Sequence, residues 1–496
     1  MGFIPCPPGR GARYPWLGWC SFSPRSREVL VSWSTPHAGW KSWWLVSFLG
    51  VLACARNVPE AVRGGEGAVV VLQGARLIDG NGGPPIEDAT LVIEGETLRA
   101  VGPSAEVTVP SGAQVLDVKG RSVFPGLVAD HSHLGVVEGT KSGSGHFTRE
   151  NVLRQARQYE VYGVTTVMSL GFNTELFPKL QEELNAGAPK GADILGADRG
   201  LGVPDGAPPV GVGADQLYRP RTVEEARAAV RESASRRPAL LKIWVDDFHH
   251  SVPVKMLPEV QAAIIDEAHR QGLRVAAHVY YLDDAKRLVR EGVDVLAHGI
   301  RDRPVDDELV REMKARGTWY VPTLGLDETF YIYAEAPEWM RTPFFQHAVQ
   351  PELAAQFADP AWRAKALGDA KALAQNRASV AMNLRNVKAL HDAGVSIGFG
   401  TDSGANPLRI PGFAEHRELE LMVHAGLTPL EALRHATRDA AALLKLDDRG
   451  TLVAGKRADF VLVEGNPAAD VLDTRRIVGV WHRGQRVSGG VEDLTP

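Results

Sequence analysis

Short β-rich runs that alternate with turn clusters lie near both ends of the chain. Near the amino end, the apolar runs 69–72 and 91–93 flank a turn cluster at 79–83. The same pattern returns close to the carboxyl end. Short strands separated by such turns are typical of hairpins. We therefore predict that residues 67–121 and 451–490 join into one small, sandwich-like β domain.

Between these segments, short apolar runs are separated by longer stretches with helical periodicity. Strands that alternate with helices build a parallel sheet. Eight such runs are present, which is the number of strands in a TIM barrel. They lie at 122–129, 164–168, 192–195, 240–245, 274–279, 294–298, 318–321 and 395–400. The pattern predicts an α/β fold, a TIM (β/α)8 barrel over residues 122–450.

The connection after the seventh run is far longer than the few residues usual between a strand and a helix. It covers residues 324–386 and carries six aromatic side chains, namely Phe330, Tyr331, Tyr333, Trp339, Phe344 and Phe345. Its position at the end of a barrel strand would let it cover the barrel mouth as a lid. The alternative is that these aromatic side chains pack into a small core of the segment itself.

Composition and charge narrow the functional classes. With 44% hydrophobic and 23% charged residues, the 496-residue chain has the composition of a globular protein. Its formal net charge of -5 offers no basic surface for a phosphate backbone, which argues against nucleic acid as a partner. The three cysteines, Cys6, Cys20 and Cys54, all precede the β-rich runs. A metal site further along the chain must therefore use histidine and carboxylate ligands.

The first 66 residues have the features of a leader segment. Lys41 is followed by an apolar run at 43–53 and by small residues, which is the pattern of a secretory signal. The run is shorter than the roughly 20 residues that a membrane-spanning helix needs. Residues 51–54 are similar to a bacterial lipobox, which would make Cys54 a lipid-anchored amino terminus; ordinary cleavage and a buried helix are the alternatives. We expect an exported protein, either periplasmic or anchored to the membrane.

Five side chains with metal-ligating chemistry end predicted barrel strands. His131 and His133 follow the first run, and residues two apart on a strand point to the same side. His278, His298 and Asp402 follow the fifth, sixth and eighth runs. Catalytic residues of TIM barrels occupy these strand ends. Core packing would explain a single buried histidine, but five such groups together predict a metal site.

Lys242 lies inside the apolar fourth run, where an unpaired ammonium group costs several kcal/mol. One explanation is carboxylation by carbon dioxide, which converts the cation into a carbamate anion able to bridge two metal ions. The other is an ion pair with a nearby carboxylate such as Asp246. We favour the carbamate, and with it a site for two metal ions.

Together these motifs resemble the amidohydrolase superfamily. The resemblance covers roughly residues 69–487 and rests on residues 125–128 followed by His131 and His133, on Lys242, on His278 and His298, and on the Thr401-Asp402 pair. Within the superfamily it is most similar to the imidazolonepropionase-like branch, which includes metal-dependent dipeptidases that cleave before proline. The family usually has an aspartate two residues before the first histidine, whereas this chain has Ala129 there and Asp130 next.

The resemblance implies a role for each residue of the set. The paired histidines of the first strand would bind the more buried of two divalent ions, His278 and His298 the more exposed one, and carboxylated Lys242 would bridge both. Asp402 would bind the buried ion and act as general base, then general acid, for a hydroxide held between the ions. Zinc is the expected metal, with manganese or cobalt as alternatives.

The implied reaction is hydrolysis of the amide bond of a dipeptide or an N-acyl amino acid. A cyclic amide or an ester is the alternative substrate, and a surface lipoprotein without catalysis is the alternative class. Tyr280 resembles a tyrosine that meets the substrate carboxylate in related dipeptidases. His249 and His250 are weaker candidates for substrate contacts, as are His146 and Arg301. Nothing in the pattern selects an oligomeric state.

Overall fold

The computed structural model of the protein describes residues 69–494. The predicted leader, residues 1–66 with Cys54, lies outside these described residues. Strands of the described chain are β1 (Val69–Leu77), β2 (Ile86–Glu94), β3 (Thr97–Pro103), β4 (Gln114–Asp117), β5 (Arg121–Pro125), β6 (Leu127–Ser132), β7 (Val137–Glu138), β8 (Lys141–Ser142), β9 (Val164–Ser169), β10 (Asp193–Gly196), β11 (Leu241–Trp244), β12 (Val275–His278), β13 (Val295–Ala297), β14 (Trp319–Val321), β15 (Phe460–Glu464), β16 (Ile477–His482) and β17 (Gln485–Ser488).

The α-helices lie mainly between the strands of the middle segment. They are α1 (Arg149–Val161), α2 (Phe177–Asn185), α3 (Val223–Ser235), α4 (Pro258–Arg270), α5 (Leu282–Glu291), α6 (Asp307–Arg316), α7 (Ile332–Glu335), α8 (Pro343–Gln346), α9 (Pro351–Ala358), α10 (Pro360–Gly368), α11 (Ala370–Asp392), α12 (Phe413–His424), α13 (Pro429–Arg434) and α14 (Ala440–Leu443). Local signals set several ends: a capping box of Thr428 and Glu431 starts α13, and left-handed Gly292 ends α5. Within residues 69–494, no helix is long and apolar enough to cross a membrane.

The two terminal β segments pair in one eight-stranded sheet. Its order is β17-β16-β15-β5-β1-β2-β3, and β4 pairs with β1. The junction between the segments is the antiparallel pair of β15 with β5, from Phe460 opposite Pro125 to Glu464 opposite Arg121. Apolar side chains of both segments share a core of their own, which includes Leu72 and Trp481. The predicted union of the chain ends is therefore present, as one continuous sheet where a sandwich has two.

The first predicted run, 122–129, is not one strand, which corrects the prediction. It divides at Gly126 into β5, in the terminal sheet, and β6, in the parallel layer. A Cβ at Gly126 would lie 2.3 Å from Thr165 Oγ1, so a side chain has no room there. The Gly126 amide donates to the Asp459 carbonyl at 2.9 Å. This glycine thus lets the chain pass from one sheet directly into the other.

The parallel strands of the middle segment form two sheets, one in the order β10-β9-β6 and one running from β11 to β14. Isolated parallel bridges join residues in these strands or just after them: Leu201, after β10, pairs with Ile243 of β11, Tyr320 of β14 pairs with Ile397 of the eighth run, and Ser132 of β6 pairs with Ser403, just after that run. Run 395–400 is not a regular strand, although the Asp130 amide donates to the Phe399 carbonyl within it. The helices α1 to α6 separate successive strands. The predicted α/β class with a parallel layer is confirmed.

The long connection after β14 is helical and largely packed. Tyr333 stacks on Phe357 with ring centroids 4.6 Å apart, and Trp339 lies 5.0 Å from Phe413 of α12. Phe344 and Phe345 are also buried, so these aromatic side chains form an internal core. Phe330 is the exception, because 40% of its surface is exposed. The lid function of this segment stays a prediction.

Candidate active site

His131, His133 and Asp402 meet where β6 ends. The Nε2 atoms of the two histidines lie 3.3 Å and 3.0 Å from Asp402 Oδ1, and all three side chains are buried. The backbone holds Asp402 in place because the amides of Thr401 and Asp402 both donate to the His131 carbonyl, at 3.0 Å and 2.8 Å. Asp402 itself has a left-handed backbone with φ 60°, a strained conformation that is common at functional sites.

Lys242 on β11 points into the same cluster. Its side chain is fully buried, and Nζ lies 3.4 Å from His131 Nε2 and 5.3 Å from the Trp244 ring. Asp246 instead contacts His278 Nε2 at 3.3 Å, and it forms no ion pair with Lys242. Burial, only partly offset by Asp402 and Asp246, lowers the pKa of Lys242 to about 7.

The histidines of β12 and of the turn after β13 lie beside this cluster. The ring of His298 is 4.5 Å from that of His131 and 4.3 Å from that of His278, measured between centroids. His298 Nδ1 is 2.9 Å from the Thr323 hydroxyl, which orients the ring. Burial lowers the pKa of His298 well below its ordinary value, so the ring is neutral and able to bind a metal. The structure thus brings all six predicted ligands into one group.

Arg409 contacts the second oxygen of Asp402 and was not identified from the sequence. Burial alone would raise the pKa of Asp402, but Arg409 and the two contacting histidines hold that pKa well below its ordinary value. Asp402 is therefore a carboxylate at neutral pH. The only sequence signal for Arg409 is its place seven residues after Asp402 on the same loop.

The donor set fits a divalent cation. Two imidazole nitrogens and a carboxylate oxygen converge within 4.8 Å of one another, and such nitrogen and oxygen donors suit zinc, manganese or cobalt. The Nδ1 atoms of His131 and His133 are buried without a hydrogen-bond partner, although metal-binding histidines usually have one. Asp130, which replaces the family's aspartate at position 129, instead accepts from the Phe399 amide at 2.9 Å.

The cluster opens into a cavity of about 330 Å³. His133, His278, His298 and Asp402 line its polar end, together with the predicted contact residues His249 and Arg301. Its apolar wall includes Phe172, Trp244, Pro208, Pro209, Val210 and Phe330. The Phe172 and Trp244 rings stack with centroids 4.7 Å apart. The cavity therefore offers a substrate one polar end beside the ligands and one flat apolar surface.

Three other predicted contact residues lie away from the cavity wall. The Tyr280 hydroxyl is 3.2 Å from the Ser379 hydroxyl, and its ring lies under His249. His250 is largely exposed and contacts Asp247. His146 contacts Glu138 beside a separate cavity of about 480 Å³. A role of Tyr280 or His250 in substrate binding stays a prediction.

Comparisons with known proteins identify the family of this chain. A profile described as "Amidohydrolase family" matches residues 122–488. An imidazolonepropionase of Deinococcus radiodurans is 28% identical over 408 residues, which cover 78% of this chain and 88% of the relative. An ochratoxinase of Aspergillus niger is 26% identical over 467 residues, 86% of this chain and 88% of the relative. A solved Xaa-Pro dipeptidase with bound methionine has the same fold, with TM-score 0.67, 22% identity, and coverage of 85% of this chain and 100% of that chain.

Proposed function

Because this chain belongs to the amidohydrolase family and is a hydrolase that acts on carbon–nitrogen bonds, we propose that it hydrolyses the amide bond of a dipeptide or an N-acyl amino acid. One observation carries the proposal: six buried candidate ligands lie in one group, and four of them line the polar end of a cavity large enough for a small substrate. Dipeptides and N-acyl amino acids combine a polar amide with apolar groups, as the cavity walls do.

Two divalent ions would be held by this set, zinc being the first candidate. His131, His133 and Asp402 would hold the more buried ion, and His278 and His298 the other. When bound, such ions supply Lewis acidity, which lowers the pKa of water toward neutrality and polarises a carbonyl group.

The Lys242 side chain would bridge the two positions as a carbamate. The free amine attacks carbon dioxide, a nitrogen–carbon bond forms while one carbon–oxygen π bond breaks and its electron pair moves to oxygen, and the nitrogen releases one proton to water. The pKa of about 7 supports this step, because much of the amine is uncharged at neutral pH. The absence of a carboxylate beside Nζ, in the part of the chain described, supports it as well.

Asp402 would carry the proton during catalysis. Its carboxylate is ionised and accepts a proton from the attacking water, then donates it to the nitrogen of the departing amine. Amide cleavage needs this second transfer, since an amide anion is a very poor leaving group.

We also infer that β6, the strands β9 to β14 and the 395–400 run close into the eight-stranded barrel. The three isolated bridges, which link these elements or the residues directly after them, support this closure. The domain division would then be the terminal sheet, residues 67–121 with 451–490, and the barrel at 122–450, with β5 of the barrel segment joining the terminal sheet.

The test is a screen of dipeptides and N-acyl amino acids with the metal-loaded protein and with Asp402→Asn. We expect hydrolysis by the wild type and a loss of about 100- to 10,000-fold in kcat for the variant. Asp198→Asn is the matched control, because Asp198 is a carboxylate paired with Arg236 away from the cavity. Hydrolysis of esters or cyclic amides alone would support the alternative substrates. No hydrolysis of any kind would support the alternative class, a surface lipoprotein without catalysis.

Export of this enzyme is a separate proposal that rests on residues 41–55. Sequencing of the native amino terminus is the test. A terminus at or just after Cys54 would support the leader, and lipid on Cys54 would support the anchor. A native terminus near Met1 would contradict export.

A further inference from the structure

Two arginines line the active-site cavity, and one of them already has a carboxylate of its own. Arg301 Nη1 lies 3.0 Å from Asp327, and Arg301 Nε donates to the Gly299 carbonyl at 3.1 Å. Both members of this ion pair are buried. The charge of Arg301 is therefore compensated before any ligand enters.

Arg409 differs, because its carboxylate partner belongs to the proposed metal site. Its Nη1 contacts Asp402 Oδ2, and its Nε is buried with no hydrogen-bond partner. The other oxygen of Asp402 faces His131 and His133. A cation held by those atoms would compensate Asp402, which leaves Arg409 as the uncompensated positive charge of the cavity wall.

The loop fixes the backbone that carries this guanidinium, and the contact with Asp402 holds the guanidinium itself. The Gly404 amide donates to the Arg409 carbonyl, and the Arg409 amide donates to the Asn406 carbonyl, both at 2.9 Å. A Cβ on Gly404 would lie 2.0 Å from the His133 carbonyl oxygen, so the loop packs directly on the end of β6. A group that is already in place loses little freedom when a ligand binds.

We propose that Arg409 binds the α-carboxylate of the amino-acid half of the substrate, beside the scissile amide. This inference rests on the proposed function. In an N-acyl amino acid the carboxyl carbon is two bonds from the amide nitrogen, so its anchor must lie next to the group that protonates that nitrogen. Arg409 touches Asp402 and meets this condition. The guanidinium also donates charge-assisted hydrogen bonds of the kind that a carboxylate accepts.

The apolar wall indicates the rest of the ligand. Phe172 and Trp244 present stacked rings, and Phe330 lies 5.8 Å from the Arg409 guanidinium. An amino acid with a flat aromatic side chain therefore suits both the apolar wall and the guanidinium, and phenylalanine is the simplest probe.

The first experiment measures binding to the metal-loaded protein by calorimetry, with L-phenylalanine and L-phenylalaninol as matched ligands. They differ only in the carboxylate, which the alcohol lacks. We expect phenylalanine to bind about 30-fold more tightly, as for a hydrogen-bonded charge. Arg409→Gln should remove the difference, and Arg409→Lys should keep part of it.

Arg154→Gln is the control, because Arg154 lines the separate 480 Å³ cavity, and it should leave the ratio unchanged. Equal binding of the two ligands to the wild type, or no binding of either, would overturn the proposal without the need for any variant to fold.

The second experiment compares hydrolysis of N-acetyl-L-phenylalanine and N-acetyl-L-phenylalaninol, which share one scissile amide. Arg409→Gln should raise KM about 30-fold for the acid and by less than about threefold for the alcohol. An equal loss with both substrates would show that Arg409 only positions Asp402, and would overturn the proposal. Selective binding of phenylalanine without hydrolysis of either compound would leave the anchor intact and overturn the proposed function instead.

Discussion

Asp193 and Lys242 are both buried charged residues of the parallel layer, yet their neighbours differ. Asp193 at the start of β10 is surrounded by cationic groups from the carboxyl-terminal part of the chain: Arg449 Nη1 at 2.8 Å, Arg457 Nη1 at 2.7 Å, His482 Nε2 at 3.3 Å, and Arg483. His482 in turn contacts Glu160 at 2.7 Å. Burial would raise the pKa of Asp193, but these partners lower it instead.

Lys242 has no such partners in the described chain. Its Nζ lies beside the His131 imidazole and the Trp244 ring, and burial lowers its pKa to about 7. The two sites therefore resolve the same desolvation problem in opposite ways. Around Asp193 the charge is kept and used to join the terminal sheet to the parallel layer. Around Lys242 burial weakens the charge, so that much of the amine is neutral at pH 7 among the proposed metal ligands.

The largest expected effect is that of Lys242→Ala. We expect metal content to fall from close to two divalent ions per chain, and hydrolysis to fall about 1,000-fold or more, since several kcal/mol of charge stabilisation are lost. Metal analysis and kcat/KM are the measurements. Excess bicarbonate should not restore binding. One firmly bound ion in the wild type that persists in Lys242→Ala would contradict the bridging carbamate.

Asp193→Asn should affect stability and leave the chemistry intact. It leaves three arginines without their shared carboxylate, which we expect to cost about 3 to 5 kcal/mol in the free energy of unfolding. Urea unfolding measures this loss, while metal content and activity per folded molecule should stay unchanged. Glu464→Gln is the control: it removes a half-exposed pair with Arg476 and should cost less than about 1 kcal/mol. If Asp193→Asn folded normally but lost its metal, the distinction between the two sites would be wrong.

The two sites should also respond to pH in opposite directions in the metal-free protein. Folding lowers the pKa of Lys242 from 10.5 to about 7. Lys242 therefore costs no stability above pH 10.5, and it destabilises the fold increasingly as pH falls to about 7. Burial lowers the pKa of His482, but Asp193 and Glu160 outweigh this and raise it from 6.5 to about 9. The contribution of His482 is therefore full below pH 6.5 and lost as pH rises through 9.

The measurement is the free energy of unfolding between pH 6 and 11 for the wild type, Lys242→Met and His482→Gln. Subtracting each variant from the wild type gives the pH dependence of that residue's contribution. We expect changes on the order of 1 to 3 kcal/mol with opposite signs. Difference curves that run parallel to each other would contradict this assignment of charges.

The smallest effect is expected for Thr323→Val, which removes the hydroxyl that orients His298. Loss of such a supporting hydrogen bond lowers metal affinity by about 10-fold or somewhat more. Competition with a chelator measures the affinity, and Thr323→Ser should retain it because the hydroxyl is kept. Full affinity in Thr323→Val together with an affinity loss in Thr323→Ser would show that the methyl contact, not the hydrogen bond, matters.

Local patterns were enough to predict which side chains lie together at the candidate site. His131, His133, His278 and Asp402 each follow an apolar run, and residues at the ends of neighbouring parallel strands meet at one edge whatever the loops do. The limits are seen at run 122–129, where periodicity alone cannot show that Thr165 excludes a side chain at Gly126 and divides the strand. They are seen again at Tyr280, whose strand-end position is consistent with a site residue but whose hydroxyl lies beside Ser379 of α11.

Strand periodicity and ligand chemistry are properties of short stretches of chain, and the sequence by itself determined them: an α/β order and six candidate ligands, one of them a lysine in an apolar strand that needs an explanation. The tertiary structure alone decided which charges are paired. Asp246 lies with His278, Arg409 with Asp402, and the fully buried Lys242 without a carboxylate partner in the described chain. Desolvation and Coulomb interactions depend on distances between segments far apart in the chain, and those distances exist only once the strands have assembled.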